Sequence, residues 1–152
     1  MAIKYFEDYV PGGIYTLWTH TLTEESIIEF AREFDPQEFH VDPAAAADGP
    51  YGGVIASGCH TFALGGHAVA MGYLSPESSL PSPGAEDVRW HAPVRPNDTL
   101  TWRATVLSAR PSRSDPSRGI VRTRIEAIKQ DESLALSMTA VHLMRLRPTS
   151  TD

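Results

Sequence analysis

From Ala85 onward, apolar and polar residues alternate with a period of two, the repeat of a strand with one buried face. Val88, Trp90, Ala92 and Val94 form one such series. Leu100, Trp102, Ala104 and Val106 form the next, with the turn-forming Pro96-Asn97-Asp98 between them. Residues 120–129 and 134–146 read as two further long strands joined near Gln130-Asp131-Glu132, and 111–118 as a polar loop. The first half has other periods. Over 15–20, Tyr15, Leu17 and Thr19 take one face of a short strand and Thr16, Trp18 and His20 the other. Ile27, Phe30, Ala31 and Phe34 recur at helical spacing behind Thr23, an N-cap residue followed by Glu24 and Glu25, so the spacing predicts an amphipathic helix over 23–34. It stops at Asp35-Pro36, because the residue before proline is pushed out of the helical region.

Asp42 caps a short second helix with Pro43 at its first position, and Asp48-Gly49-Pro50 ends it. From Gly58 to Leu74 apolar residues fall on most sides of a third helix, the pattern of a buried one. Its Gly65 and Gly66 cost about 1 kcal/mol each relative to Ala, which points to close packing against another backbone. Helices gathered in the first half and strands in the second make an α+β domain spanning 1–152, with four or five antiparallel strands, one central helix and a frayed tail over 148–152.

Composition narrows the setting. The chain of 152 residues is long enough for one buried core, yet short enough that a second copy could complete an active site. With 41% hydrophobic and 21% charged residues it is an ordinary globular sequence, and a net charge of -6 argues against nucleic acid as a partner. The single cysteine, Cys59, allows no internal disulfide. Acidic residues stand where a secretion signal would be apolar, and no run reaches the ~18 apolar residues of a bilayer span. The expectation is a soluble, cytoplasmic protein with no membrane partner.

The chemistry concentrates in Phe34-Asp35-Pro36-Gln37-Glu38-Phe39-His40-Val41-Asp42-Pro43, which puts a carboxylate and an imidazole five residues apart in a proline-restrained loop. Adding water to a conjugated thioester needs a base for the water and an acid for the carbon beside the carbonyl, and such a pair sharing one water can serve as both. It also needs donors for the oxygen that becomes enolate-like. Gly58, at a helix start, offers a backbone N–H along the positive end of the dipole.

Asp35 and His40, followed by Gly52-Gly53-Val54-Ile55-Ala56-Ser57-Gly58, resemble the signature of the MaoC-like dehydratases, or (R)-specific enoyl-CoA hydratase family. The likeness extends to Phe6-Glu7-Asp8 and Pro11-Gly12, and to Pro93-Val94-Arg95-Pro96-Asn97-Asp98-Thr99-Leu100. It implies a hotdog fold, a long central helix wrapped by a curved antiparallel sheet, working as a homodimer or dimer of dimers. It further implies (R)-specific hydration of a trans-2-enoyl thioester, or dehydration of the 3-hydroxyacyl form, on CoA or an acyl-carrier protein. The pantetheine arm would enter along the subunit interface. Asp35 and His40 would activate the water, Gly58 N–H would bind the thioester oxygen, and Ser57 and Gly53 would complete the substrate-binding set. No metal or cofactor beyond the substrate's own carrier is implied. Two departures stand out: Pro36-Gln37 where the family has Asn-Pro in the loop, which keeps the Asp–His spacing, and Gly65-Gly66 where it often has a serine, which bears on the acyl pocket.

Simpler roles are open for the other candidates. Asp35 alone could be a solvated turn residue, His40 a packed histidine, and Ser57 only a helix cap. His60 and His67 share a helical face but lack a third ligand at matched spacing. Cys59 reads as a small buried hydrophobe, and His20, His91 and His142 as packing or surface residues. Arg89, Arg95, Arg103 and Arg113 suit either CoA phosphates or a solvated sheet edge. Two rival activities fit the same fold: thioester hydrolysis, and a non-catalytic acyl-CoA-binding subunit.

Overall fold

A computed structural model describes residues 2–149. After a 3-10 turn at Phe6–Asp8 come β1 (Ile14–Thr21), α1 (Glu24–Phe34), α2 (Glu38–Val41), α3 (Pro43–Ala47) and α4 (Gly58–Gly72). Four strands follow: β2 (Ser79–Trp90), β3 (Thr99–Pro111), β4 (Arg118–Lys129) and β5 (Leu134–Arg145). All five strands form one antiparallel sheet in the order β1-β3-β4-β5-β2. Among the described residues no helix is long and apolar enough to cross a membrane. Of the tail expected over 148–152, Pro148 and Thr149 carry no helix or strand, and the rest lies outside the described residues.

The alternation along β3 holds: Leu100, Trp102, Ala104 and Val106 are all buried on the inner face, beneath α4. On β1 it fails midway. A register shift between Thr16 and Trp18 turns Trp18 and His20 inward, where Trp18 stacks on His20 and meets His67 of α4 at 4.5 Å. The second strand differs more. It begins at Ser79, takes in Pro81 and Pro83, and ends at Trp90, so Ala92 and Val94 lie in the connection to β3. Proline is tolerated because β2 is an edge strand, whose outward N–H positions need no partner. Two bulges and the left-handed Asp87 (φ 50°) break its period.

The central helix is seated closely but not buried all round. A Cβ at Gly65 would stand 2.8 Å from the Trp102 ring, and one at Gly72 would stand 2.5 Å from the Leu17 carbonyl oxygen. The backbone approach expected at Gly65-Gly66 is thus at Gly72, while Gly66 faces open space. Phe62 and Met71 lie on the uncovered face, 38% and 65% exposed.

The far end of α4 is closed by the N-terminal segment. Tyr9 O–H donates to Tyr73 O at 2.8 Å, and Lys4 N–H to Ser75 Oγ at 2.8 Å. Tyr73 packs edge-on against Tyr9 and contacts His142, whose buried Nε2 has no partner among the described residues. Burial holds the His142 imidazole down to about 4 from its ordinary 6.5. His142 is therefore neutral in the fold, while the unfolded chain takes up its proton near pH 6.5. Stability is complete above that pH and falls by about 3 kcal/mol as pH drops toward 4. Buried His60, also held below its ordinary value, chiefly by desolvation, adds in the same direction. Urea unfolding of His142→Leu should show a flatter loss over that window, and an unchanged slope would refute this account.

Candidate active site

Four short stretches meet at the amino end of α4. The first is the last turn of α1, a helix whose start Thr23 caps by accepting from Ser26 N–H and which buries Ile27 and Ala31. At its last turn Asp35 N–H bonds Ala31 O at 2.8 Å, and Pro36 then forces the chain extended. Helical geometry resumes at Glu38, so the stretch expected to be a loop contains the single turn α2, which carries His40.

His40 is buried, and its Nδ1 lies 2.6 Å from Ile55 O. A carbonyl can only accept, so the Nδ1–H donates, and Nε2 is the nitrogen that takes up or gives away a proton. Nε2 stands 3.2 Å from Asp35 Oδ2. That oxygen also accepts Ser57 Oγ–H at 2.7 Å, while Oδ1 accepts Gln37 Nε2–H at 2.7 Å. The Ser57 bond, then the Gln37 bond, holds the Asp35 carboxyl below the usual carboxylate range. Ser57, fully buried, is also the N-cap of α4, accepting Cys59 N–H at 3.2 Å. It is thus more than a cap.

Beside this cluster is a cavity of about 360 Å³ whose walls include His40, Tyr51, Gly58, Thr61, Trp90 and Val94. Asp35 is not in its wall and faces His40 instead. The Gly58 N–H opens the helix and makes no hydrogen bond among the described residues, so it is a free donor at the positive dipole end. Trp90 lies across it: Nε1–H donates to Gly58 O at 3.1 Å, and a Cβ at Gly58 would come within 2.8 Å of the ring. Gly53, named with Ser57 and Gly58 as substrate-binding, does not reach the cavity and sits in the preceding turn at φ 154°. Gly65 and Gly66 stay out of the wall too, and Thr61 takes the place nearest the core.

The remaining candidates are dispersed. His60 stacks on Phe30 at 4.5 Å, and Cys59, expected to be a small buried hydrophobe, is exposed instead. Among the described residues no three His, Cys, Asp or Glu side chains are placed to hold a metal. Arg103 pairs with Glu126 across the sheet, Arg89 and Arg113 are exposed, and Arg95 bonds Tyr51 O. His91 does border the cavity, with Nε2 2.7 Å from Ser137 Oγ. Sequence reasoning missed Trp90, read as an ordinary strand residue, and Gln37, whose amide two residues after Asp35 was the available signal.

The family model described as the MaoC like domain matches residues 11–128. The crystal structure of the MaoC-like dehydratase from Rhodospirillum rubrum is similar at a TM-score of 0.88 and 33% identity, over 96% of this chain and 99% of that one. The R-hydratase PhaJ1 from Pseudomonas aeruginosa, at 24% identity, shares the fold with a TM-score of 0.74 over 97% and 96% of the two chains. By sequence, the uncharacterized protein YdeM of Bacillus subtilis is 28% identical over 127 residues, 83% of this chain and 88% of that protein.

Because the Ser57 bond is the largest influence on Asp35, Ser57→Ala should raise the Asp35 carboxyl pKa more than Gln37→Ala does. Loss of the cap should also cost about 1–2 kcal/mol of stability. Carboxyl-carbon NMR titration reads the first effect and urea unfolding the second. An Asp35 titration unmoved by Ser57→Ala would contradict the assignment.

Proposed function

The chain belongs to the MaoC-like domain family and has the hotdog fold, and from that premise we propose that it is a hydro-lyase adding water to a trans-2-enoyl thioester or removing it from an (R)-3-hydroxyacyl thioester. The observation that carries this reading is the orientation of His40. Ile55 O holds its Nδ1–H, so Nε2 is the basic nitrogen, and His40 lines a cavity that is also lined by Gly58, whose N–H has no partner among the described residues. Asp35 is the more acidic partner, kept ionised by Ser57 and Gln37. Imidazole is the side chain suited to carrying a proton near neutral pH.

In the hydration direction, water bound at Nε2 forms its O–C bond to C3 of the acyl chain while its proton passes to Nε2. The C2=C3 electron pair moves toward the thioester oxygen, where Gly58 N–H meets the developing charge. The Asp35 carboxylate stabilises the imidazolium across 3.2 Å. Nε2 then returns the proton to C2, the thioester carbonyl re-forms, and both hydrogens come from one water. No step requires a metal or redox cofactor, and the CoA or carrier-protein pantetheine belongs to the substrate.

A second copy of the chain fits this reading. Phe62 near the start of α4 and Trp90 of β2 (55% exposed) leave apolar surface uncovered near the cavity, Met71 leaves more at the far end of α4, and most of edge strand β2 is exposed. A homodimer covering them would also narrow the cavity's open side.

Steady-state hydration of short, long and branched enoyl-CoAs tests the chemistry through loss of enoyl absorbance. Asp35→Asn and His40→Ala should each lower kcat/KM by roughly 10²–10⁴-fold. Unchanged rates in both variants would reject these roles, and thiol release without loss of enoyl absorbance would point to hydrolysis instead. Sedimentation should give twice the 16.6 kDa chain mass, falling to the single-chain mass in Met71→Glu. A wild-type monomer would rule out the dimer.

A further inference from the structure

The cavity has two lips from separate connections. Tyr51 comes from the α3–α4 connection, and Pro93 and Val94 come from the β2–β3 connection. Each lip is built differently. The Tyr51 lip is a turn through Gly52 (φ 65°) and Gly53 (φ 154°), geometry that only glycine adopts without strain. Among the described residues, the backbone bond nearest Tyr51 within its own turn is Gly52 N–H on Gly49 O at 3.2 Å. The other lip is anchored. Asp98, buried, accepts Arg95 N–H at 2.8 Å, Lys129 Nζ–H at 2.8 Å and Gln130 Nε2–H at 2.7 Å. Lys129 also donates to Pro93 O at 3.2 Å. One side chain joins the two lips: Arg95 Nη1–H donates to Tyr51 O at 2.7 Å.

We infer that Arg95 is a latch, a positioning residue that holds Tyr51 at the mouth of the cavity and so governs how an acyl thioester is bound rather than how it reacts. The inference rests on the thioester reading above for its ligand, but its geometry does not. The guanidinium extends from a backbone locked by a buried carboxylate, so its donor is preorganised and little freedom is lost on bonding. Releasing it frees a glycine-hinged turn that carries Tyr51 of the cavity wall, whose ring has its other contact with Phe39 at 6.2 Å between centroids. The acid–base pair hangs on other contacts: Ile55 O for His40, and Ser57 and Gln37 for Asp35. Binding should therefore suffer while the chemical step stands.

Two experiments test the latch. In kinetics, Arg95→Ala should raise KM about tenfold and leave kcat within about twofold, with Arg95→Lys recovering part of the loss. The same factor should appear with the crotonyl thioester of N-acetylcysteamine, which carries no phosphate. A defect confined to the CoA substrate would mean that Arg95 binds phosphate and would overturn the latch. Since Arg95 acts through Tyr51, the Arg95→Ala/Tyr51→Ala pair should be no worse than Tyr51→Ala alone, and multiplying losses would overturn it too. Limited chymotrypsin digestion needs no turnover: the Tyr51–Gly52 bond should be cut about tenfold faster in Arg95→Ala. Unchanged cutting, or cutting spread along the whole chain, would count against the latch. A wild type that hydrates no thioester would sink the hydration reading, and digestion would still decide the latch.

Discussion

The close seating of α4 in the sheet is the constraint from which the site follows. Trp102 fills the space under Gly65, and the backbone at Leu17 fills the space at Gly72, leaving no room for a Cβ at either point. The indole pays for this partly in polarity, because its buried Nε1 has no partner among the described residues, a cost of about 1–3 kcal/mol. Burying an aromatic of about 150–250 Å² at roughly 25 cal/mol per Å² returns about 4–6 kcal/mol, so the apolar term prevails. With the helix fixed at its middle and far end, its first turn is fixed as well. Ser57 and Gly58 inherit their positions from contacts about two and four turns away.

The first turn then decides where charge can reside. Asp35 ends α1, where the negative end of the helix dipole disfavours a carboxylate. It stays ionised because Ser57 and Gln37 each donate to it, and a donor to a charged acceptor outweighs a surface dipole effect. Ser57 can donate because its lone pair, not its hydrogen, caps α4. One hydroxyl therefore links the closing turn of α1 to the opening turn of α4. The arrangement pairs a carboxylate held acidic with an imidazole oriented by a carbonyl, which separates the group that stabilises charge from the group that moves the proton.

What could be read in the sequence follows from how local its cause is. Thr23, Pro36, Asp42 and Pro43 act within a few residues of themselves, and the helices they bound lie where the pattern puts them. The inner face of β3 was legible because Leu100, Trp102, Ala104 and Val106 all meet the same core. Strand β2 was not, since an edge strand exposed over most of its length need not alternate, and Pro81 and Pro83 argue against a strand anywhere else. The bulge at Leu17 was hidden for a similar reason: the parity of Trp18 and His20 is set by α4, not by their neighbours. Asp35 and His40 could be paired from their spacing. Gln37 looked like a mere departure from a motif, and only the folded loop shows its amide on the carboxylate.

The polar residues that were hardest to read are those whose partner is backbone far away in sequence. Arg95 bonds a carbonyl 44 positions earlier, and Trp90 one 32 positions earlier. A carbonyl carries no side-chain identity, so no residue type at position 51 or 58 announces either contact. The glycines give the better clue: Gly58 is required because an indole lies on it, and Gly52 and Gly53 because a turn must pass through left-handed geometry there. Glycine marks either a close approach, as at Gly58, or a left-handed turn, as at Gly52 and Gly53. In this chain two of those places flank the cavity: Trp90, the last residue of β2, lies on one, and Arg95 of the β2–β3 connection bonds the residue before the other. The strand-to-strand connection, more than the helices, shapes what can enter, while the helix ends determine what happens to it.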